Sequence, residues 1–352
     1  MGKVTYLLGA GASFNCLPLV NGIPAAIDKL RQDIVHLVLD STVYFSDIST
    51  HTISEGREYF RIECEKIQKA VQVQSSIDTY AKKLSITKER RDLLALKVVL
   101  SCLFIYLQCE NLGDYRYDAF FASILKNDSC DFNNDIRILS WNYDFQLEKA
   151  YSRYSLHNEL KVNQELLHVY PDGRKVENYQ DRFSIFKMNG TTSFIDNRSP
   201  DKNDDIIKTF DFSDKDGLLK VCIWYYIAAV LRIEENLITP MLTFSWESFP
   251  VSGPRNIIHT ANQAIAASDA VVVIGYSFPF FNRTIDKILM ASACQSFDTK
   301  IYVQDIHADH IISKLGSILP SQYPKNLMTP VEAYISKDPN AAKDQFFLPP
   351  EL

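Results

Sequence analysis

Val4-Thr5-Tyr6-Leu7-Leu8-Gly9-Ala10-Gly11-Ala12-Ser13 is the stretch that decides the fold. A short apolar run stopped by glycine reads as a buried strand. Glycines placed directly after such a strand let the backbone approach a pyrophosphate, and amides at the start of a following helix would point at its charge. The turn lacks the third glycine of the G-x-G-x-x-G fingerprint, and a tight turn without ligand is the competing reading. Asp28 and Asp33 fall where a ribose-binding acid could sit, although no strand pattern precedes them. Pro18 and Pro24 restrict any helix after the turn to short pieces.

Four more segments have the same strand character: 136–141, 183–188, Ala270–Ile274 and Lys300–Gln304. Each runs into small or polar residues: Asn142-Tyr143-Asp144, Asn189-Gly190-Thr191, Gly275-Tyr276-Ser277 and Asp305. Between the strands lie helical patterns at 27–39, 57–74, 77–84, 88–107, 218–233, 257–267 and 282–293. Strands alternating with helices predict a mostly parallel sheet covered on both faces. In such sheets ligands sit beyond the carboxyl ends of the strands, where all five polar turns would gather. Residues 158–181 read as a polar loop with a turn at Pro171-Asp172-Gly173, 196–216 as a loop or surface insertion, and the last thirty or so as a surface wrap.

The chain has 352 residues and a formal net charge of -6, with no dense Lys/Arg cluster, so nucleic acid is not expected as a direct partner. Seven scattered cysteines without a CxxC pair argue against a zinc ribbon and a disulfide framework, and suit a reducing compartment. The apolar stretch 93–107 is interrupted by Lys97 and reads as a buried helix, so no membrane segment is expected and the chain is taken as cytoplasmic. His307 and His310 have metal-pair spacing without an evident third ligand, so no metal is expected. Trp224-Tyr225 reads as packing within an apolar helix.

Taken in order, these motifs resemble the SIR2 (sirtuin-like) family, and more closely its bacterial zinc-less branch than the protein deacetylases. Gly9-Ala10-Gly11-Ala12-Ser13 is similar to the family's opening motif, Ser140-Trp141-Asn142-Tyr143-Asp144 to its asparagine–aspartate element, and Gly275-Tyr276-Ser277 to its later phosphate loop. Asp305 stands where the family holds the adenosine ribose, and Ser76-Ile77-Asp78 resembles the branch's helical insert. The resemblance implies an α/β, Rossmann-like, mostly parallel sheet with helices on both faces and a large helical insertion. The implied division is an NAD-binding core at 1–54 and 131–320, the insertion at 55–130 and a C-terminal tail at 321–352. The insertion is also a candidate homo-oligomer surface.

By the same resemblance NAD is the ligand, held by Gly9, Ala10, Gly11, Ala12, Ser13, Gly275, Ser277 and Asp305, with no zinc. The implied activity is hydrolysis of NAD to ADP-ribose and nicotinamide in antiphage defence, with a regulatory protein partner. Asn142 would orient the attacking water, and Asp144 would engage the nicotinamide carboxamide. Where the family has a histidine base, this chain has Asn189. His168 and Asp196 are the candidate substitutes. Two other functions compete: a catalytically degenerate module that binds NAD or ADP-ribose, and an NAD-dependent oxidoreductase. Without a ligand, Asn142 would be a turn former, and Asp144 and Asp305 would be helix caps.

Overall fold

Seven strands pair in the order Val169–Tyr170, Ser184–Lys187, Ile136–Ser140, Val4–Leu8, Ala270–Ile274, Lys300–Gln304 and Met328–Val331, and every neighbouring pair is parallel. The computed structural model describes residues 2–39, 50–74, 76–110, 113–126, 132–157, 159–170, 182–198, 213–248, 257–331 and 345–352. Along the chain the elements are β1 (Val4–Leu8), α1 (Ile23–His36), α2 (Thr50–Val73), α3 (Ile77–Ile86), α4 (Arg90–Glu110), α5 (Tyr115–Ile124), β2 (Ile136–Ser140), α6 (Gln146–Tyr151), α7 (Leu160–Leu166), β3 (Val169–Tyr170) and β4 (Ser184–Lys187). They continue as β5 (Gly190–Asp196), α8 (Lys215–Tyr226), β6 (Ile238–Leu242), α9 (Ile257–Ala266), β7 (Ala270–Ile274), α10 (Arg283–Ala293), β8 (Lys300–Gln304), α11 (Ala308–Leu315) and β9 (Met328–Val331).

The chain divides into two compact units, the first comprising Met1–Phe14, Gly113–Gly190 and Phe244–Leu352. It holds the seven-stranded sheet, a Rossmann-like α/β layer arrangement. Side chains alternate across each strand, so both faces must be covered. Val4, Tyr6, Leu8, Ile136, Ile138, Val272 and Ile274 pack with Phe120 and Phe121 of α5, Leu147 of α6 and Phe346. Leu7, Leu139, Phe186, Val271, Val273 and Val303 pack with Ile258 of α9, Leu289 of α10 and Ile311 of α11 on the other face. Apolar residues on both faces explain why the central strands read as near-continuous hydrophobic runs, interrupted by Thr5 in β1 and Arg137 in β2.

The second unit comprises Asn15–Leu112 and Thr191–Thr243. The helical segment expected at 55–130 is therefore shared, since α5 belongs to the first unit. Within the second unit α4 is long and apolar enough to cross a membrane, but Leu96 and every residue from Val98 to Gln108 are buried among its neighbours. A helix apolar around its whole circumference is a core helix here. Phe60 stacks on Tyr226 at 5.1 Å, and Phe194 on Tyr225 at 4.0 Å, so Trp224-Tyr225 is core packing as read. Past Tyr226 the α8 helix widens to a π-helix over Ile227–Leu231.

Three local expectations are corrected. The polar stretch 158–181 holds α7 and the short edge strand β3, elements whose few apolar residues left no periodic signal. The first helix runs Ile23–His36 instead of 27–39, because Pro24 sits in its first turn, where no amide partner is lost. The chain end is built into the sheet unit: β9 extends the sheet, and the Gly2 amide donates to Glu351 O at 2.8 Å. The turn at Pro171-Asp172-Gly173 and most of 196–216 lie outside the described residues.

Ile138 is fully buried in an interior strand. Ile138→Ala is expected to lower unfolding free energy by about 2–5 kcal/mol in urea titration; a loss below about 1 kcal/mol would contradict a doubly covered β2.

Candidate ligand site at the carboxyl edge of the sheet

Because the sheet is parallel, the carboxyl ends of β1, β2, β4, β7 and β8 share one edge. From β1 the chain proceeds to β2 on one side, and from β7 it proceeds to β8 on the other. Two neighbouring strands with diverging connections make a topological switch point. The ladder continues into the turns: Trp141 N donates to Leu8 O at 2.9 Å, Gly9 N to Ile274 O at 3.0 Å, and Gly275 N to Gln304 O at 3.1 Å.

The two glycine turns touch through their backbones. Gly11 N donates to Gly275 O at 3.0 Å. A Cβ on Gly9 would lie 2.6 Å from Gly275 O, and one on Gly275 would lie 2.4 Å from Gly11 Cα. Gly275 also has φ +58°, a left-handed conformation that favours glycine. Glycine is thus demanded by the approach of one turn to the other. A four-residue 3-10 turn, Ala10–Ser13, follows β1 in place of the expected helix start. Its Ala12 amide donates to Gly9 O at 2.9 Å, so the amides of Gly11 and Ala12 are both engaged internally.

Behind the turn, a buried polar network ties three motifs together. Ser13 Oγ donates to Asp144 Oδ2 at 2.8 Å, and it lies 2.9 Å from Tyr117 Oη. Asn142 Nδ2 donates to Gly9 O at 2.9 Å and to Ser13 Oγ at 3.2 Å. Ser13 has one proton and two lone pairs, so these three partners saturate it. The carbonyl at Gly9 can only accept, which fixes the Asn142 amide orientation and leaves Oδ1 as the atom it can offer a ligand.

Asn189 repeats this logic. Its Nδ2 donates to Trp141 O at 3.1 Å, while its buried Oδ1 has no partner among the described residues. The buried Trp141 Nε1 likewise has none. Unpaired buried polar atoms are costly and call for a partner. Burial pushes the Asp144 carboxyl up, opposed by the Lys187 ammonium and by hydrogen bonds from Gln146 N and Ser13 Oγ. The Gln146 amide donates to Asp144 Oδ1 at 3.1 Å, so Asp144 satisfies the first amide of α6 from one position before the N-cap, which is Phe145 and not Asp144 as anticipated.

Beneath the site Lys187, fully buried in β4, donates to Asp144 O at 2.6 Å and to Glu148 Oε2 at 3.1 Å. Arg116 donates to Ala12 O at 2.8 Å and to Gly11 O at 3.1 Å, and pairs with Asp114. Arg116 and Tyr117 had no signal in the sequence, since their partners are about a hundred residues away. Lys187 did carry a signal, a lysine inside an apolar strand, which the sequence reading did not use.

Other anticipated residues are engaged by partners outside this network or are exposed. Asp305 Oδ1 accepts from His307 N at 2.8 Å at the start of α11, and Ser277 is exposed. His168 precedes β3 and lies 3.0 Å from Phe183 O, which puts it at the amino edge of the sheet, away from Asn189. Asp196, Asp28 and Asp33 belong to the second unit and form ion pairs with Arg198, Arg31 and Lys215. Among the described residues no group of three or more His, Cys, Asp or Glu is arranged to hold a metal.

The chain matches no protein-family model, and no curated protein is significantly similar to it.

Lys187→Met would strand the Glu148 carboxylate in the interior, and a loss of about 3–5 kcal/mol in denaturant unfolding is expected. Lys187→Met with Glu148→Leu should recover most of it; no recovery would contradict the buried pair.

Proposed function

We propose that the carboxyl edge of the sheet binds NAD and that the chain cleaves the nicotinamide–ribose bond with water, releasing ADP-ribose, nicotinamide and a proton. One observation carries this reading: Asn142 and Asn189 both spend their amide nitrogens inside the protein, leaving their oxygens for a ligand. Two acceptors suit donors such as ribose hydroxyls, a carboxamide or water, and they suit a ring that becomes positively charged. They do not suit a phosphate. Support also comes from the switch point between β1 and β7, and from the resemblance of the five motifs to the SIR2-like family.

Nicotinamide leaves as a neutral group from a cationic ring, so no acid has to protonate it. The transition state is oxocarbenium-like, and fixed acceptor oxygens stabilise it by position and charge. Asn189 can hold a water but cannot take its proton. His168 lies at the other edge, and the Asp144 carboxyl is engaged by Ser13 and Gln146. A missing general base costs about 10²–10⁴-fold, so turnover is slow. The amides of Gly11, Ala12 and Gly275 are all engaged internally, which leaves the pyrophosphate to other contacts around Ala10 and Ser277. Asp305 faces the adenosine half in this reading. A role in antiphage defence with a controlling protein partner rests on the resemblance, and a cytoplasmic setting on the scattered cysteines.

A second reading, an NAD or ADP-ribose receptor, is favoured by Asn189 in the histidine's place. Following nicotinamide release from NAD decides between them. We expect slow release that falls at least about tenfold in Asn142→Ala. Binding without release would favour the receptor, and neither binding nor release would overturn the assignment. In Asn189→His, turnover should rise toward the range a general base supplies, about 10²-fold or more. An unchanged rate would contradict the position given to Asn189.

A further inference from the structure

One buried carboxyl group takes no part in the chemistry above. Asp286, on α10, is 1% exposed and receives the Tyr276 hydroxyl at 2.9 Å on Oδ1 and 3.1 Å on Oδ2. Asn282 Nδ2 donates to the same hydroxyl at 3.0 Å. The phenol is therefore held between a donor and an acceptor from one helix start. Its ring is stacked on Trp141, with centroids 5.7 Å apart and planes 11° from parallel. Trp141 carries both asparagines: its carbonyl receives Asn189 Nδ2 at 3.1 Å, and Asn142 is the next residue. On the other side, the Tyr276 Cα lies where a Gly9 side chain would begin, 2.6 Å from that Cβ position.

We propose that Tyr276, anchored by Asp286 and Asn282, is a positioning residue that sets the two asparagine oxygens against the nicotinamide ribose. The inference rests on the NAD reading and deepens it. Burying a carboxyl beside one hydroxyl is costly, and an apolar side chain of similar size would fill the space at lower cost. Burial pushes the Asp286 carboxyl well up, the hydroxyl pulling the other way. What the carboxyl supplies, and an apolar group does not, is a fixed direction for the phenol and hence for the Trp141 plane.

The test compares NAD with ADP, which shares the adenosine and pyrophosphate half but lacks the nicotinamide riboside. Binding of each is measured by calorimetry for the wild-type chain, Tyr276→Phe, Asp286→Leu and Asp286→Asn. Tyr276→Phe and Asp286→Leu are expected to weaken NAD about tenfold and ADP less than about twofold. Asp286→Asn keeps an acceptor for the phenol and should restore NAD affinity. Equal losses for both ligands, or no loss for either, would overturn the positioning role while leaving the site assignment standing. A wild-type chain that binds no NAD overturns both. Should Asp286→Leu fail to fold, Tyr276→Phe, which removes a single oxygen, decides the matter.

Discussion

The close approach of Gly11 to Gly275 is the constraint on which the site depends. Their hydrogen bond contributes only about 1 kcal/mol. The geometry is enforced instead by sterics, since a side chain on Gly275 would meet the Gly11 backbone at 2.4 Å and would be strained at φ +58° besides. With the two turns in contact, Ser13 stands within reach of Asn142 and Asp144, and Tyr276 stands against Trp141. A parallel sheet brings the strand ends to one edge; the paired glycines decide how tightly the turns close over it.

Burial of polar groups raises the stakes of that closure. Ser13, Asn142, Asp144, Lys187 and Glu148 are all more than nine-tenths buried. Such networks stabilise little in net terms, because desolvation offsets most of the attraction. Their consequence is a single allowed arrangement, since breaking one contact strands a donor, an acceptor or a charge. Turns held by a saturated hydroxyl and a fully buried ammonium form a rigid site. Its offered atoms, the two asparagine oxygens, are set before any ligand arrives.

The sheet was legible because its central strands are short Val/Ile-rich runs that stop at glycine or polar residues. The edge strand β3 and helix α7 were not, because Val169-Tyr170 and the polar stretch before it carry no period. The gathering of Gly9, Asn142, Asn189 and Gly275 followed from strand polarity alone. Their roles did not: GxG spacing suggests phosphate contact, whereas the packing of one glycine turn on the other is a relation between residues far apart in the chain. The support from Arg116 and Tyr117 was invisible for the same reason. Residue type says nothing about which edge of a sheet a residue occupies, and His168, one of the two candidate substitute bases, lies at the amino edge.

A crystal structure of the chain soaked with NAD or a non-hydrolysable analogue tests where the dinucleotide sits. The nicotinamide ribose is expected with its hydroxyls at hydrogen-bond distance, roughly 3 Å, from the side-chain oxygens of Asn142 and Asn189. Dinucleotide density at any other place on the molecule, with neither of those oxygens in contact with it, would contradict the assignment.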